Sequence, residues 1–266
     1  ALSCAPTPRV AVSATGPALR PDTALVSVML ANNETGSLQP VAEIAALAHA
    51  NGSLMHTDAA QAAGKLPLDV GALGADLLTL AFHKFYGPKG IGALYIRHGT
   101  PLKPILFGAD QEHGLRPGTE NVASSSEVAL IVGAGEAARL ARERLPEAAA
   151  HQSALVDLLH RRLADAVPGL ALNGHPLHRL PNTLHVSFPG VSGRELLAAV
   201  AHTLAASVGS ACHSHGDAVS GVLAAMGCDA ARARGAVRLS VGRDTTANEI
   251  EVAAAALINA LGIERH

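Results

Sequence analysis

The sequence predicts an α/β fold: a large domain on a mostly parallel sheet, followed by a smaller α+β domain. Two observations lead there. Short, almost continuously apolar runs alternate with segments of helical period, the pattern of strands buried on both faces. Three polar residues, Asn33, Asp58 and Lys84, each fall just past the carboxyl end of such a run, the edge where open α/β sheets bind ligands. Their spacing suggests one site holding an amide, a carboxylate and an amine.

Taken in order, residues 1–21 have no amphipathic period and are interrupted by proline and glycine. Residues 23–30 (TALVSVML) read as a strand leading into the polar turn NNETG at 32–36. Val41–Ala50 has helical spacing, with apolar residues at 41, 44, 45 and 48. Residues 53–56 read as a strand, and 59–64 as the opening of a helix capped by Asp58. Further strands are expected at 75–82 and 91–96. Residues 122–163 are rich in Ala, Leu, Arg and Glu and predict a long helix broken near Pro146. Beyond it we expect a strand at 183–188, a helix at 193–202, a Gly-containing loop at 208–214 and a helix near 218–226. A strand at 237–241 and a terminal helix at 247–261 complete the chain. The resulting division is a large domain over 1–135, a linking helix over 136–167 and a small domain over 168–266.

Composition excludes several classes. The 266 residues carry a formal net charge of −2 with no basic block, which argues against a nucleic-acid binder. No apolar run reaches the roughly 18 residues needed to span a bilayer, so no membrane association is expected. The mean hydropathy of +0.25 reflects alanine, and with aromatics at 2% and no tryptophan the core must be Ala, Val, Leu and Ile. Three cysteines, Cys4, Cys212 and Cys228, are too few for a disulfide framework and point to a reduced, cytoplasmic compartment.

Four residues stand out chemically. Lys84 ends an apolar strand; a lysine beside apolar walls has a lowered pKa and forms a Schiff base with a carbonyl cofactor. Asp58, ending the neighbouring strand, is the carboxylate that a pyridinium nitrogen needs. Cys212, in GSACHS, is either a small buried residue or an exposed thiol whose thiolate a nearby imidazole favours. Its Cys-x-x-His spacing to His215, with His213 and Cys228 near in sequence, lacks the second ligand pair of a structural zinc site, and no metal is expected. Arg238 interrupts an apolar strand, and its fork suits a carboxylate. Gly133-Ala-Gly135 and Gly87-Pro-Lys-Gly90 are incomplete phosphate-loop patterns and carry little weight. Of the 14 histidines, only His56, His83, His213 and His215 sit in motif contexts.

The words ANNETG (31–36), HTDAAQAAGK (56–65), HKFYGPKGIGALYIR (83–97), RPGTEN (116–121), LPNTLHVSF (180–188), GSACHS (209–214) and VRLSVGR (237–243) occur in that order. Together they resemble the cysteine desulfurase and selenocysteine lyase family, fold-type-I pyridoxal phosphate enzymes of the class V aminotransferase group. The resemblance runs from about residue 24 to the C-terminus. It implies pyridoxal 5'-phosphate held by Lys84, which would also shuttle protons, and Asp58 paired with the ring nitrogen. Asn33 and Gln61 would lie near the phenolic oxygen and the substrate side of the ring, and His83 near the phosphate. Thr119 would reach the phosphate of the other subunit of a homodimer. Arg238, with Asn33, would bind the substrate. Cys212 would be the nucleophile that takes sulfur from L-cysteine, leaving L-alanine and a cysteine persulfide for a sulfur-acceptor protein, as in iron–sulfur cluster assembly.

The pattern departs from the family at two places. Ala81 and Phe82 stand where many members have Ser or Thr and then Gly. The family's N-terminal third, with its Gly-Thr-Glu phosphate turn and ring-stacking histidine, has no counterpart here, so an N-terminally truncated chain is expected. Two alternatives therefore accompany the desulfurase reading. One is a selenocysteine lyase acting on L-selenocysteine. The other is an inactive homologue that only binds partners.

Overall fold

A computed structural model describes residues 8–105, 107, 112, 114–115, 125–209 and 220–262, with the backbone alone for 125–127. The chain divides into two compact units, Pro21–Met29 with Val41–Leu145, and Ala1–Arg20 with Leu30–Pro40 and Pro146–His266.

The first unit is built on a four-stranded sheet in the order β1 (Leu25–Met29), β2 (Leu54–Asp58), β3 (Leu77–Ala81), β4 (Gly92–Ile96). The first three strands are parallel; β4 returns antiparallel to β3, so the sheet is mixed at that edge. Helix α2 (Val41–Ala50) packs on β1 and β2, with Ile44, Ala45 and Ala48 buried toward Val26, Val28 and Met55. The alternate residues Ser27, His56 and Asp58 point to the other face, as a period of two requires. Asp76, just before β3, accepts from the Met55 N–H and from His49 and Arg97. Burial opposes its ionisation, but these three partners outweigh it and hold the carboxyl below its usual range.

The second unit carries a three-stranded antiparallel sheet, β5 (Ala171–Leu172), β6 (Thr183–Ser187) and β7 (Ala236–Ser240). Its core gathers Leu155, Leu159, Leu163, Leu184, Val186, Phe188, Leu196, Val237, Leu239, Ile250 and Leu257. They come from the strands, from the long helix α3 (Ser125–Ala166), and from α4 (Gly193–Ala199) and α7 (Ala247–Ala260). The remaining helices are α1 (Val12–Ala18), α5 (Gly221–Ala225) and α6 (Ala230–Arg234). A Thr246–Glu249 capping box starts α7 by satisfying two end amides reciprocally.

Several expectations are corrected. Residues 59–64 form turns, not a helix: the 59–66 stretch is held by short bonds such as Ala62 N–H to Ala59 O and Leu66 N–H to Ala62 O. Helix α3 is not broken at Pro146, although proline removes one bond; the flanking residues are strong helix formers, and Arg139 braces Glu136 and Glu143 one turn away on either side. The first 21 residues contain α1, and β5 and α6 were too short for any periodic signal. Among the described residues no helix is long and apolar enough to cross a membrane.

Candidate active site

In the sheet unit, β2 ends on Asp58. One of its carboxylate oxygens accepts from the Ala60 N–H at 2.8 Å, turning the chain sharply away from the sheet edge. The Ala59 N–H reaches Thr79 O on β3 at 3.0 Å, which extends the parallel ladder to the point where the carboxylate is displayed. Asp58 is exposed at this edge.

Strand β3 runs directly into a single 3-10 turn, Phe82–Phe85, which carries His83 and Lys84. Side chains three apart nearly eclipse in a 3-10 turn. Phe82 and Phe85 therefore share one side, with ring centroids 5.2 Å apart, and Phe85 is buried against Ala63 and Ala137. His83 and Lys84 are turned outward by the same geometry and are exposed. This explains the tolerance of Phe at position 82: it belongs to the packing side of the turn. Among the described residues no apolar wall covers the lysine.

A glycine makes this turn possible. Gly64 has φ +71, and a Cβ there would stand 2.5 Å from Phe85 Cβ. Next to it, Lys65 is half-buried and donates to Gln61 O at 2.9 Å and to Lys84 O at 3.3 Å. Burial, then the positive charge of Lys84, push the Lys65 amine down to about 8. Gly133 of α3 would place a Cβ 2.9 Å from Pro88 Cγ, so the two glycine fragments of the sequence meet in close packing at this point. His56 bridges three strands, with Nδ1 2.7 Å from Ser27 Oγ and Nε2 2.9 Å from Thr79 Oγ1.

The other unit holds Asn33 and Arg238. In the NNETG turn, Asn32 is the builder: its Oδ1 accepts from the Glu34 and Thr35 amides, both at 2.9 Å, and its side chain is buried. Asn33 is left exposed, and its carbonyl accepts from Arg238 Nη1 at 2.7 Å. Burial lowers the Arg238 pKa, with the Glu34 carboxylate acting in opposition.

Sequence reasoning passed over two residues beside Arg238. Glu34 is 5% exposed and accepts a hydrogen bond from Ser220 Oγ, which also caps α5 at Val222 and Leu223. His185, opposite Arg238 in the β6–β7 register, is 1% exposed, and among the described residues neither ring nitrogen has a hydrogen-bond partner. Burial, Arg238 and Arg232 press its pKa to about 4, so the ring is neutral near pH 7. A Cβ on Gly209 would lie 3.2 Å from Glu34 Oε2 and 3.4 Å from His185 Nε2. The Ser207–Arg238 bridge therefore leads the chain across this polar floor. The only signal available for Glu34 was a carboxylate inside a turn otherwise built of small polar residues. For His185 it was an imidazole in a strand whose residues are buried on both faces. Cys212, His213, His215 and Thr119 lie outside the described residues, as does all of RPGTEN. Among the described residues no cluster of metal-ligating side chains occurs.

Each unit thus brings together part of the expected set: Asp58, Gln61, His83 and Lys84 in one, Asn33 and Arg238 in the other. Comparison with known proteins gives the family. Residues 4–252 match the aminotransferase class-V family model. The mitochondrial cysteine desulfurase of Saccharomyces cerevisiae is 45% identical over 236 residues, 88% of this chain and 46% of that protein. The selenocysteine lyase of Bos taurus is 46% identical over 254 residues, 88% of this chain and 56% of that protein. Among solved structures, a NifS-like protein superposes with a TM-score of 0.87 at 34% identity, covering 99% of this chain and 68% of the other. The chain spans about half the length of the curated relatives it matches. With a motif order, a fold and a family match that coincide over most of its length, this chain belongs to the aminotransferase class-V family, alongside the cysteine desulfurases and selenocysteine lyases.

Proposed function

We propose that the chain carries the lysine-bearing and thiol-bearing parts of a pyridoxal phosphate-dependent cysteine desulfurase. The observation that carries this reading is the pair formed by Asp58 at the end of β2 and Lys84 on the turn after the adjacent strand β3. An aldehyde cofactor requires a primary amine and a pyridinium requires a carboxylate, and the residues present fit that requirement. When bound, the cofactor supplies an electron sink for bonds at the substrate α and β carbons.

The chain's own groups have the remaining roles. Lys84 Nζ would hold the cofactor and carry the proton exchanged at the substrate Cα. Asp58 would face the ring nitrogen, and Gln61 and His83 would orient the ring and its phosphate. Arg238 offers its fork to the substrate carboxylate, with the Asn33 amide beside the reacting end. The neutral His185 sets no second positive charge against that guanidinium. The Cys212 thiolate attacks the substrate sulfur: an S–S bond forms, the Cβ–S bond breaks, and Cβ retains the electron pair and takes a proton to give alanine. We further propose that Thr119 serves a neighbouring subunit in a homodimer, that an acceptor protein removes the persulfide sulfur, and that the protein works in the reducing cytoplasm. The cofactor residues would then fall within 1–135, and the thiol within 168–266.

The bovine relative supports a second reading, selenocysteine as substrate. Titrating the chain with pyridoxal phosphate separates the possibilities. A visible absorption band that disappears in Lys84→Ala is expected, with sulfide release from cysteine abolished in Cys212→Ala. Selenide release without sulfide release moves the assignment to the lyase. No band at saturating cofactor leaves this chain with partner binding alone and refutes the enzyme reading for it.

A further inference from the structure

Glu34 is a buried carboxylate with no part in the chemistry above, yet two points far along the chain meet on one of its oxygens. Oε2 accepts from Ser220 Oγ, and it stands 3.2 Å from where a Cβ on Gly209 would lie. Gly209 has φ +114, a conformation that suits glycine, and its missing side chain lets the backbone lie this close. Gly209 and Ser220 flank the thiol-bearing residues 210–219 in sequence. One oxygen therefore fixes the two chain positions between which that segment is strung.

The same seat reaches Arg238 from both of its ends. On the backbone side, the Gly209 N–H donates to Ser207 Oγ at 3.2 Å. Ser207 in turn exchanges both backbone bonds with Arg238: the Arg238 N–H donates to Ser207 O at 2.6 Å, and the Ser207 N–H to Arg238 O at 3.3 Å. On the guanidinium side, Arg238 Nη1 donates at 2.7 Å to the carbonyl of Asn33, the residue next to Glu34. Asn32 holds that stretch in place by accepting from the Glu34 and Thr35 amides. Arginine has a long stem with many rotamers, and aiming it costs entropy unless its surroundings fix it in advance. Here both ends of the stem are referred to residues 33 and 34.

We propose that Glu34 is a positioning residue for Arg238: its carboxylate seats Gly209 and Ser220, and through the Ser207 bridge and the Asn33 carbonyl that seat aims the guanidinium at the substrate carboxylate. The inference rests on Arg238 being the carboxylate-binding residue, and it deepens that reading.

Two measurements test it. In the cofactor-free chain, hydrogen exchange is followed at the Ser207 and Arg238 amides. With pyridoxal phosphate bound, the change in its absorption band gives the affinity for L-alanine and for ethylamine, the same amine without the carboxylate. Glu34→Asp keeps the charge but draws the oxygen back by a methylene. It should exchange faster at both amides and bind alanine about tenfold more weakly, with ethylamine within about twofold of the parent. Glu34→Gln keeps the reach and an oxygen for Ser220, and should stay within about threefold of the parent for alanine. Gly209→Ala breaks the seat from the opposite side and should repeat the Glu34→Asp result, so the test stands even if Glu34→Asp does not fold. Unchanged exchange, equal losses for alanine and ethylamine, or as large a loss in Glu34→Gln as in Glu34→Asp overturns the proposal. If Arg238→Met keeps the parent's affinity for alanine, the fault lies in the carboxylate assignment. If Arg238→Met loses that affinity and Glu34→Asp does not, the fault lies in the role given to Glu34.

Discussion

The lysine turn and the arginine strand reach comparable chemistry by opposite routes. Around Lys84 every contact that shapes the turn comes from two neighbouring strand ends and from α3, and the central ties lie within residues 58–85. Around Arg238 the partners are remote in sequence: Asn33 lies 205 residues away, and Glu34 meets Ser220 across 186 residues. The lysine is presented by local backbone geometry. The arginine is presented by a polar floor that exists only once the chain has brought its early turn onto its late strands. Local presentation is sensitive to backbone strain, while remote presentation is sensitive to loss of a single buried polar group.

The largest effect should come from straining the local case. Gly64→Ala combines an unfavourable φ with a Cβ overlapping Phe85, and we expect a loss of about 4 kcal/mol in urea unfolding. A loss below about 1 kcal/mol would mean the turn yields easily, and the contrast with the arginine region would weaken. Next, Glu34→Ala removes a buried carboxylate that accepts from Ser220, with an expected cost of about 3 kcal/mol. Its particular signature is remote: hydrogen exchange should accelerate at the amides of Val222 and Leu223. If those amides keep their protection, the early turn does not hold the late helix.

The smallest effect is pH-dependent. Folding lowers the His185 pKa from 6.5 to about 4. Between these values the unfolded chain binds the proton and the folded chain does not, so stability should fall as pH drops from 6.5 to 4. A drop on the order of 2–3 kcal/mol is expected. His185→Gln should flatten that slope; an unchanged slope assigns the acid sensitivity to another group.

The same contrast explains what was legible in the sequence. Asp58 and Lys84 could be placed because each follows a strand whose apolar run is visible over a few residues. The parallel order of β1 to β3 follows from the same alternation. What escaped was either too short to have a period, as with β5 and α6, or defined by partners far along the chain. Glu34 stands in plain view inside NNETG, yet nothing nearby says that its carboxylate will be buried under Ser220. The bond from Lys65 to the Lys84 carbonyl escaped for a subtler reason: it depends on the 3-10 turn, and the apolar run over 75–82 read as strand to its end. The antiparallel direction of β4 left no trace either, because an edge strand of either direction has the same composition.

Strand β7 has a burial pattern that couples its chemistry to its packing. Val237 and Leu239 are sealed in the core, and Arg238 between them points the other way. A slip of one residue against β6 would bury the guanidinium and expose both aliphatic side chains at once. The fold therefore has no slightly wrong version of this strand. An error in aligning the guanidinium would appear first as a protein that fails to assemble, so any molecule that survives proofreading by its own core presents the arginine in register.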